Sequence, residues 1–199
     1  MAKRLDEPQE RGDFFKSLGT LFAGFVAQRV EGAITGLGPT LLRPPGALDE
    51  FEFLTKCTRC DKCFKACPEN ALVRGTAGAG LSLKTPYIDP RVVPCFLCTA
   101  LPCISACEDE ALVWPTRTLA DGTVQEGPRA VRMGTARIKT RNCVTWDHGD
   151  ADSRDCRVCV DRCPYPDEAI RMVPDAEGGR PHPEIVAEAC TGCGVCVFY

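Results

Sequence analysis

Four groups of cysteines carry almost all the chemistry this 199-residue chain offers. The first is Cys57-Thr-Arg-Cys60-Asp-Lys-Cys63-Phe-Lys-Ala-Cys67-Pro68, a C-x2-C-x2-C-x3-C-P run. The second is Cys95, Cys98, Cys103 and Cys107. The third is Cys143, a gap of twelve residues, then Cys156, Cys159 and Cys163-Pro164. The fourth is Cys190, Cys193 and Cys196. A cubane presents four iron corners, each wanting one thiolate. A loop carrying C-x2-C-x2-C can wrap three corners, and the cysteine three residues on can reach a neighbouring cube. All fifteen cysteines are therefore read as iron ligands of three to four [4Fe–4S] clusters.

The fourth run stops after Val197, Phe198 and Tyr199, where a further cysteine would complete sixteen. The expectation is a four-cysteine site cut one residue short. Its rival is a three-cysteine site holding a [3Fe–4S] cluster or an iron with an open corner. Zinc fits less well, because a third cysteine two residues after a C-x2-C pair is redundant for tetrahedral pairing. A disulfide framework would leave one thiol over and belongs mostly to short secreted chains.

The segments between the groups repeat. Ala71-Leu72-Val73, Ala111-Leu112-Val113 and Glu168-Ala169-Ile170 each follow a short exit turn and read as a brief strand. A second strand is expected before the next group, at Pro86–Asp89, Ala136–Lys139 and Pro183–Val186. Gly-rich turns at residues 75–80 and 178–179 suit hairpins. Thr116–Gly134 reads as a longer hairpin turning at Asp121-Gly122. Glu108 stands where a proline follows the last cysteine of groups one and three, and predicts a small change in that exit turn. The fold class is thus α+β: a ferredoxin-like polycluster domain of short β-hairpins and cluster-binding loops and helices, in two pseudo-dicluster halves.

Phe14, Phe15, Leu18, Leu21, Phe22, Phe25, Val26 and Val30 fall on one helical face. This predicts an N-terminal amphipathic helix, then a linker with Pro39, Pro44 and Pro45. The boundaries expected are 1–46 for helix and linker and 47–199 for the cluster domain. Residues 13–34 offer a surface for docking, for packing on the cluster domain, or for peripheral membrane association. An export signal is the alternative, although Arg11-Gly12 supplies only one arginine where a twin-arginine leader has two. No transmembrane segment is expected, because no stretch reaches about 20 apolar residues.

With a net charge of −3, the chain has no general basic surface for nucleic acid. No glycine fingerprint for a dinucleotide stands in a strand–turn–helix context. His148 and His182 belong to no catalytic constellation. Asp147, Asp150, Asp152 and Asp155 read as a solvated loop. Lys56, Arg59, Lys62 and Lys65 interleave group one and suit either a solvated face or docking to an acidic partner. Together these features predict a non-catalytic relay of single electrons without its own substrate site. The alternatives are an iron–sulfur subunit of a molybdenum-type oxidoreductase complex, an assembly factor whose clusters only hold the fold, or an enzyme with an open-corner cluster at Cys190, Cys193 and Cys196.

Group one within LLRPPGALDEFEFLTKCTRCDKCFKACP, the x2, x4, x3 spacing of group two and the long gap after Cys143 resemble the MauM/NapG family of ferredoxin-type proteins. The resemblance runs from Phe14 to Tyr199. It implies sixteen cysteines, four [4Fe–4S] clusters, and a redox protein partner such as a membrane ferredoxin-type subunit or a terminal reductase. It implies a role in feeding periplasmic nitrate reductase or methylamine-oxidising systems. Family members often carry a twin-arginine leader, from which this chain departs. The expected location is therefore cytoplasmic or peripheral to the membrane, with periplasmic as the alternative. The resemblance also implies a nested pairing, group one with four and two with three. Cys67 would then complete Cys190, Cys193 and Cys196, while Cys163 would complete Cys95, Cys98 and Cys103, and Cys107 would complete Cys143, Cys156 and Cys159. Sequential pairing, one with two and three with four, stays open beside it.

Overall fold

The computed structural model describes residues 40–146, 155–174 and 180–199. The amphipathic helix expected in residues 13–34, most of the acidic loop with His148, and the Gly178-Gly179 turn lie outside the described residues. Within them the chain is a mixture of short helices and two-stranded sheets.

Helix α1 (Glu50–Lys56) leads into the first cysteine group. Asp49 caps it, its carboxylate accepting the backbone N–H groups of Phe51 and Glu52, each at 3.1 Å. Glu50 and Glu52 in the first turn and Lys56 in the last complement the helix dipole. The fully buried Phe53 fixes the helix to the core. Helices α2 (Lys62–Ala66), α3 (Pro102–Ser105), α4 (Val158–Asp161) and α5 (Val195–Phe198) each carry cysteines and are only about one turn long. Pieces this short are not stable alone, so their stability must come from tertiary packing. Helix α2 packs on α3, and α4 on α5.

Strands β1 (Leu72–Arg74) and β2 (Pro86–Ile88) form the first antiparallel hairpin, with Leu72 opposite Ile88. Strands β3 (Thr116–Thr118) and β4 (Val124–Glu126) form the second, with Gly122 at φ 82° in its turn. Strands β5 (Ile170–Val173) and β6 (His182–Ile185) form the third. The hairpins after groups one and three and the Asp121-Gly122 hairpin thus stand as the sequence predicts. The one expected after group two does not form. Ala136–Lys139 is irregular, and the partner of Leu112 is Ala47 in an antiparallel bridge. The physical reason is prior occupancy of that edge. Val113 N–H donates to Gly46 O at 2.8 Å and Leu48 N–H to Ala111 O at 3.2 Å, so residues 46–48 take this edge of the segment.

Residues 42–48 pack tightly. Pro44 and Pro45 are fully buried, and Ile88 N–H donates to Leu42 O at 2.8 Å. Arg43 is the anchor, only 8% exposed. Its guanidinium holds Glu50 through two hydrogen bonds, Nε to Oε2 at 2.8 Å and Nη2 to Oε1 at 2.5 Å. The remaining donors reach Thr85 Oγ1 at 2.8 Å, Pro86 O at 2.9 Å and Ser82 Oγ at 2.6 Å. Its plane lies 4.6 Å from the Phe53 ring centre.

Candidate iron–sulfur sites

The backbone around the cysteines repeats more closely than the sequence does. Arg59, Leu97 and Gly192, each just before the second cysteine of its group, have φ of 61°, 51° and 72°. Asp61, Leu101 and Gly194, each capping the helix that follows, have φ of 64°, 42° and 84°. Asn70, Glu110 and Asp167 in the exit turns have φ of 52°, 52° and 60°. Left-handed backbone costs a non-glycine residue about 1–2 kcal/mol, so its recurrence marks a shape the site needs. That shape turns peptide N–H groups inward. Backbone N–H groups of Arg59, Leu97 and Tyr165 donate to the sulfurs of Cys57, Cys95 and Cys163, two residues before each. Ala71 N–H reaches Cys67 Sγ at 3.4 Å. The exit turns of groups one and two are alike, each closed at 3.3 Å, by Asn70 N–H to Cys67 O and by Glu110 N–H to Cys107 O. Glu108 in place of proline therefore leaves the turn unchanged, and its carboxylate pairs with Lys62.

The sulfurs gather around three apolar-walled hollows. Cys57, Cys60, Cys63 and Cys107 line one of about 370 Å³, with Phe53, Phe64 and Leu112. Cys67, Cys95, Cys98 and Cys103 line a second of about 370 Å³, with Leu72, Ile88 and Leu101. Cys163, Cys190, Cys193 and Cys196 line a third of about 350 Å³, with Ala169, Ile170 and Ile185. Cys143, Cys156 and Cys159 are electrostatic neighbours of one another and form the remaining group. Thr145 Oγ1 lies 3.1 Å from Cys143 Sγ. The fourth cysteine of group one thus stands in the hollow of group two, and the reverse. Cys163 of group three stands with group four. The sulfurs are thus grouped as a sequential pairing would place them, and not as the nested pairing implied by the resemblance would. The packing of α2 on α3 and of α4 on α5 brings the cysteines that follow α2, α3 and α4, namely Cys67, Cys107 and Cys163, into the neighbouring hollows.

Among the described residues no three cysteine, histidine or carboxylate groups converge on one metal ion. Sulfurs ringed about a hollow fit a multi-atom cluster better than a single zinc, whose thiolates all sit about 2.3 Å from one centre. Burial, reinforced by neighbouring thiolates, pushes the Cys63, Cys95 and Cys196 thiols up to about 12 and Cys103 to about 11. Thiols so placed remain protonated until a cation displaces the proton, which is how iron binding releases protons.

The family model described as a 4Fe-4S binding domain matches residues 53–73. Ferredoxin-type protein NapG of Escherichia coli (strain K12) is 34% identical over 190 residues, covering 92% of this chain and 76% of that protein. The methylamine utilization ferredoxin-type protein MauM of Methylophilus methylotrophus is 32% identical over 202 residues, covering 98% and 84%. This chain belongs to the NapG/MauM ferredoxin-type proteins. The MauM of Methylorubrum extorquens (strain AM1) is 35% identical over 158 residues, 78% of this chain and 66% of that protein. No solved structure matches. Membership of this family, with its 4Fe-4S domain, makes the chain an iron–sulfur electron-transfer protein. No helix among the described residues is long and apolar enough to cross a membrane.

Around the first hollow, Cys60 is the exposed cysteine, the others being half-buried or buried. Arg59 donates to the carbonyls of Leu81 and Leu83 at 3.2 and 3.1 Å, presenting these two exposed leucines beside the site. Arg74 pairs with Asp61 at 3.0 Å and lies over Phe64. Lys56, Lys65 and Lys84 make no salt bridge among the described residues. His182 lies in β6, its ring centre 4.3 Å from that of Trp146. Sequence reasoning missed the Arg43 anchor, whose partners lie up to 43 residues away. It also missed the inward N–H donors, because among the residues just before a second cysteine only Gly192 announces the left-handed backbone.

Proposed function

We propose that this chain relays single electrons through three to four [4Fe–4S] clusters held by its fifteen cysteines, and carries no substrate site of its own. The observation that supports this most is the exchange of Cys67 and Cys107 between hollows. In two-cluster ferredoxins the fourth cysteine of a run likewise ligates the other cluster. Cys57, Cys60, Cys63 and Cys107 would hold one cluster, Cys67, Cys95, Cys98 and Cys103 a second, and Cys163, Cys190, Cys193 and Cys196 a third. Cys143, Cys156 and Cys159 would hold iron at a fourth place. When bound, such clusters accept and release one electron at a time, at potentials set by burial, charge and hydrogen bonds to sulfur.

The chain's own groups serve that chemistry in three ways. Cysteine sulfurs fix the iron. The peptide N–H groups of Arg59, Leu97, Ala71 and Tyr165 stabilise negative charge on those sulfurs, favouring the reduced state. Phe53, Leu101, Ile88 and Ile170 exclude water from the hollows. The partner proposed is another redox protein, a membrane ferredoxin-type subunit or a terminal reductase, approached by a carrier peripheral to the membrane.

Anaerobic purification with iron, sulfide and redox titration tests the proposal. The expected result is iron and sulfide in near-equal amounts and several reversible one-electron steps. Stoichiometric zinc without sulfide, or clusters that do not cycle, would refute it.

A further inference from the structure

The two halves of the domain meet through the backbone of cysteines themselves. Cys95 N–H donates to Cys193 O at 3.0 Å, and Met133 N–H donates to Thr191 O at 2.9 Å. Two glycines permit this approach. A Cβ on Gly192 would stand 2.4 Å from Gly134 N, and one on Gly194 would stand 2.3 Å from Pro90 Cβ. Cys95, Cys103 and Cys193 share one continuous core with Ile88 and Val195. The four buried cysteines, Cys95, Cys103, Cys190 and Cys193, all belong to the two hollows that meet at this joint. The exposed Cys60 belongs to a hollow away from it.

Resting on the function proposed above, we infer that the four sites stand in series. The order is Cys57/Cys60/Cys63/Cys107, then Cys67/Cys95/Cys98/Cys103, then Cys163/Cys190/Cys193/Cys196, then Cys143/Cys156/Cys159. The Cys95–Cys193 hydrogen bond is the central joint. The inner two sites are closed off from partners, and the outer two are the ends a redox protein must approach. One short helix joins each outer site to its inner neighbour, α2 bearing Cys63 beside Cys67, and α4 bearing Cys159 close to Cys163. The nested arrangement would instead set the Cys57 group against the Cys190 group.

Magnetic coupling in the reduced holoprotein reads this order without any activity assay. Replacing Cys95 and Cys98 with serine should remove the second site and turn the Cys57 group's broadened EPR signal into that of an isolated cluster. Replacing Cys57 and Cys60 with serine should leave coupling across the joint intact. Gly194→Ala, whose added Cβ would meet Pro90, should weaken coupling across the joint, and the added change Pro90→Gly should restore part of it. In the unsubstituted holoprotein, hydrogen exchange should find the Cys95 and Met133 amides protected. A Cys57-group signal still broadened in the Cys95/Cys98 variant, or rapid exchange at both amides, overturns the series while leaving an iron–sulfur carrier. Absence of any iron–sulfur signal overturns the carrier and the series together.

Discussion

Replacing Arg43 with methionine should loosen the first site far more than its position outside any cysteine group suggests. Arg43 is 8% exposed and joins residues 42–48 to α1 through Glu50, to the 3-10 turn Ala77–Ser82 through Ser82, and to β2 through Pro86. Two of the residues it holds in place, Phe53 and Pro86, line the first hollow. Methionine keeps much of the apolar stem but leaves the Glu50 carboxylate without its cation. Breaking one side of a buried ion pair costs about 3–5 kcal/mol. The Glu50 side chain is 29% exposed and can partly hydrate, so the lower end, about 3 kcal/mol, applies. At about 1.4 kcal/mol per factor of ten, opening of this region becomes about a hundredfold more frequent. The assay is chelator-driven loss of iron from anaerobic holoprotein, followed by visible absorbance. When reclosing outpaces capture, that rate follows the open population. The first site's iron should leave about a hundredfold faster, and the site at Cys190, Cys193 and Cys196 should lag. The double variant Arg43→Met/Glu50→Met should recover part of the loss, because no charge is stranded. A single variant within threefold of the parent, or a double variant no better than the single, would refute the reasoning.

Glu110→Gly should stabilise the protein by about 1 kcal/mol, since Glu110 holds φ 52° at an exposed turn where glycine carries no steric penalty; thermal unfolding against the parent checks this. Lys56→Glu with Lys65→Glu should slow association with an acidic redox partner, more so at low salt, while leaving iron content unchanged; stopped-flow mixing over a range of ionic strength reads it. In iron-free, reduced protein, burial raises the Cys63, Cys95, Cys103 and Cys196 thiols from the usual 9.0 to about 11–12. The unfolded chain loses these protons first, so stability is full below pH about 9 and falls as pH rises toward about 12. Circular dichroism across that range should show the loss, and iron-loaded protein, already free of those protons, should resist it.

The cysteine groups and two of the three hairpins between them were legible because their signals are local. Spacing inside Cys57–Cys67 and the brief apolar run Ala71-Leu72-Val73 depend on neighbours in sequence. The pairing of groups was not legible. It follows from which one-turn helices pack together, and Lys62–Ala66 or Pro102–Ser105 carries no periodicity long enough to name its partner. Ala136–Lys139 reads as a strand by composition, yet Ala47 already occupies the edge it would need. The left-handed residues were hidden for another reason. Glycine announces such a position at Gly192 and Gly194, but Arg59, Leu97 and Leu101 take it at a cost that only the surrounding structure offsets.

Because Cys67 and Cys107 each stand in the other loop's ring of sulfurs, filling one hollow should help to position the last sulfur of the other. A first cube inserted at Cys57, Cys60 and Cys63 draws in Cys107, and so positions the helix that bears Cys103. Filling of one hollow should therefore speed filling of its neighbour without being required for it. Oxygen damage should begin at the exposed Cys60 corner and loosen, without abolishing, the hold on its sheltered neighbour.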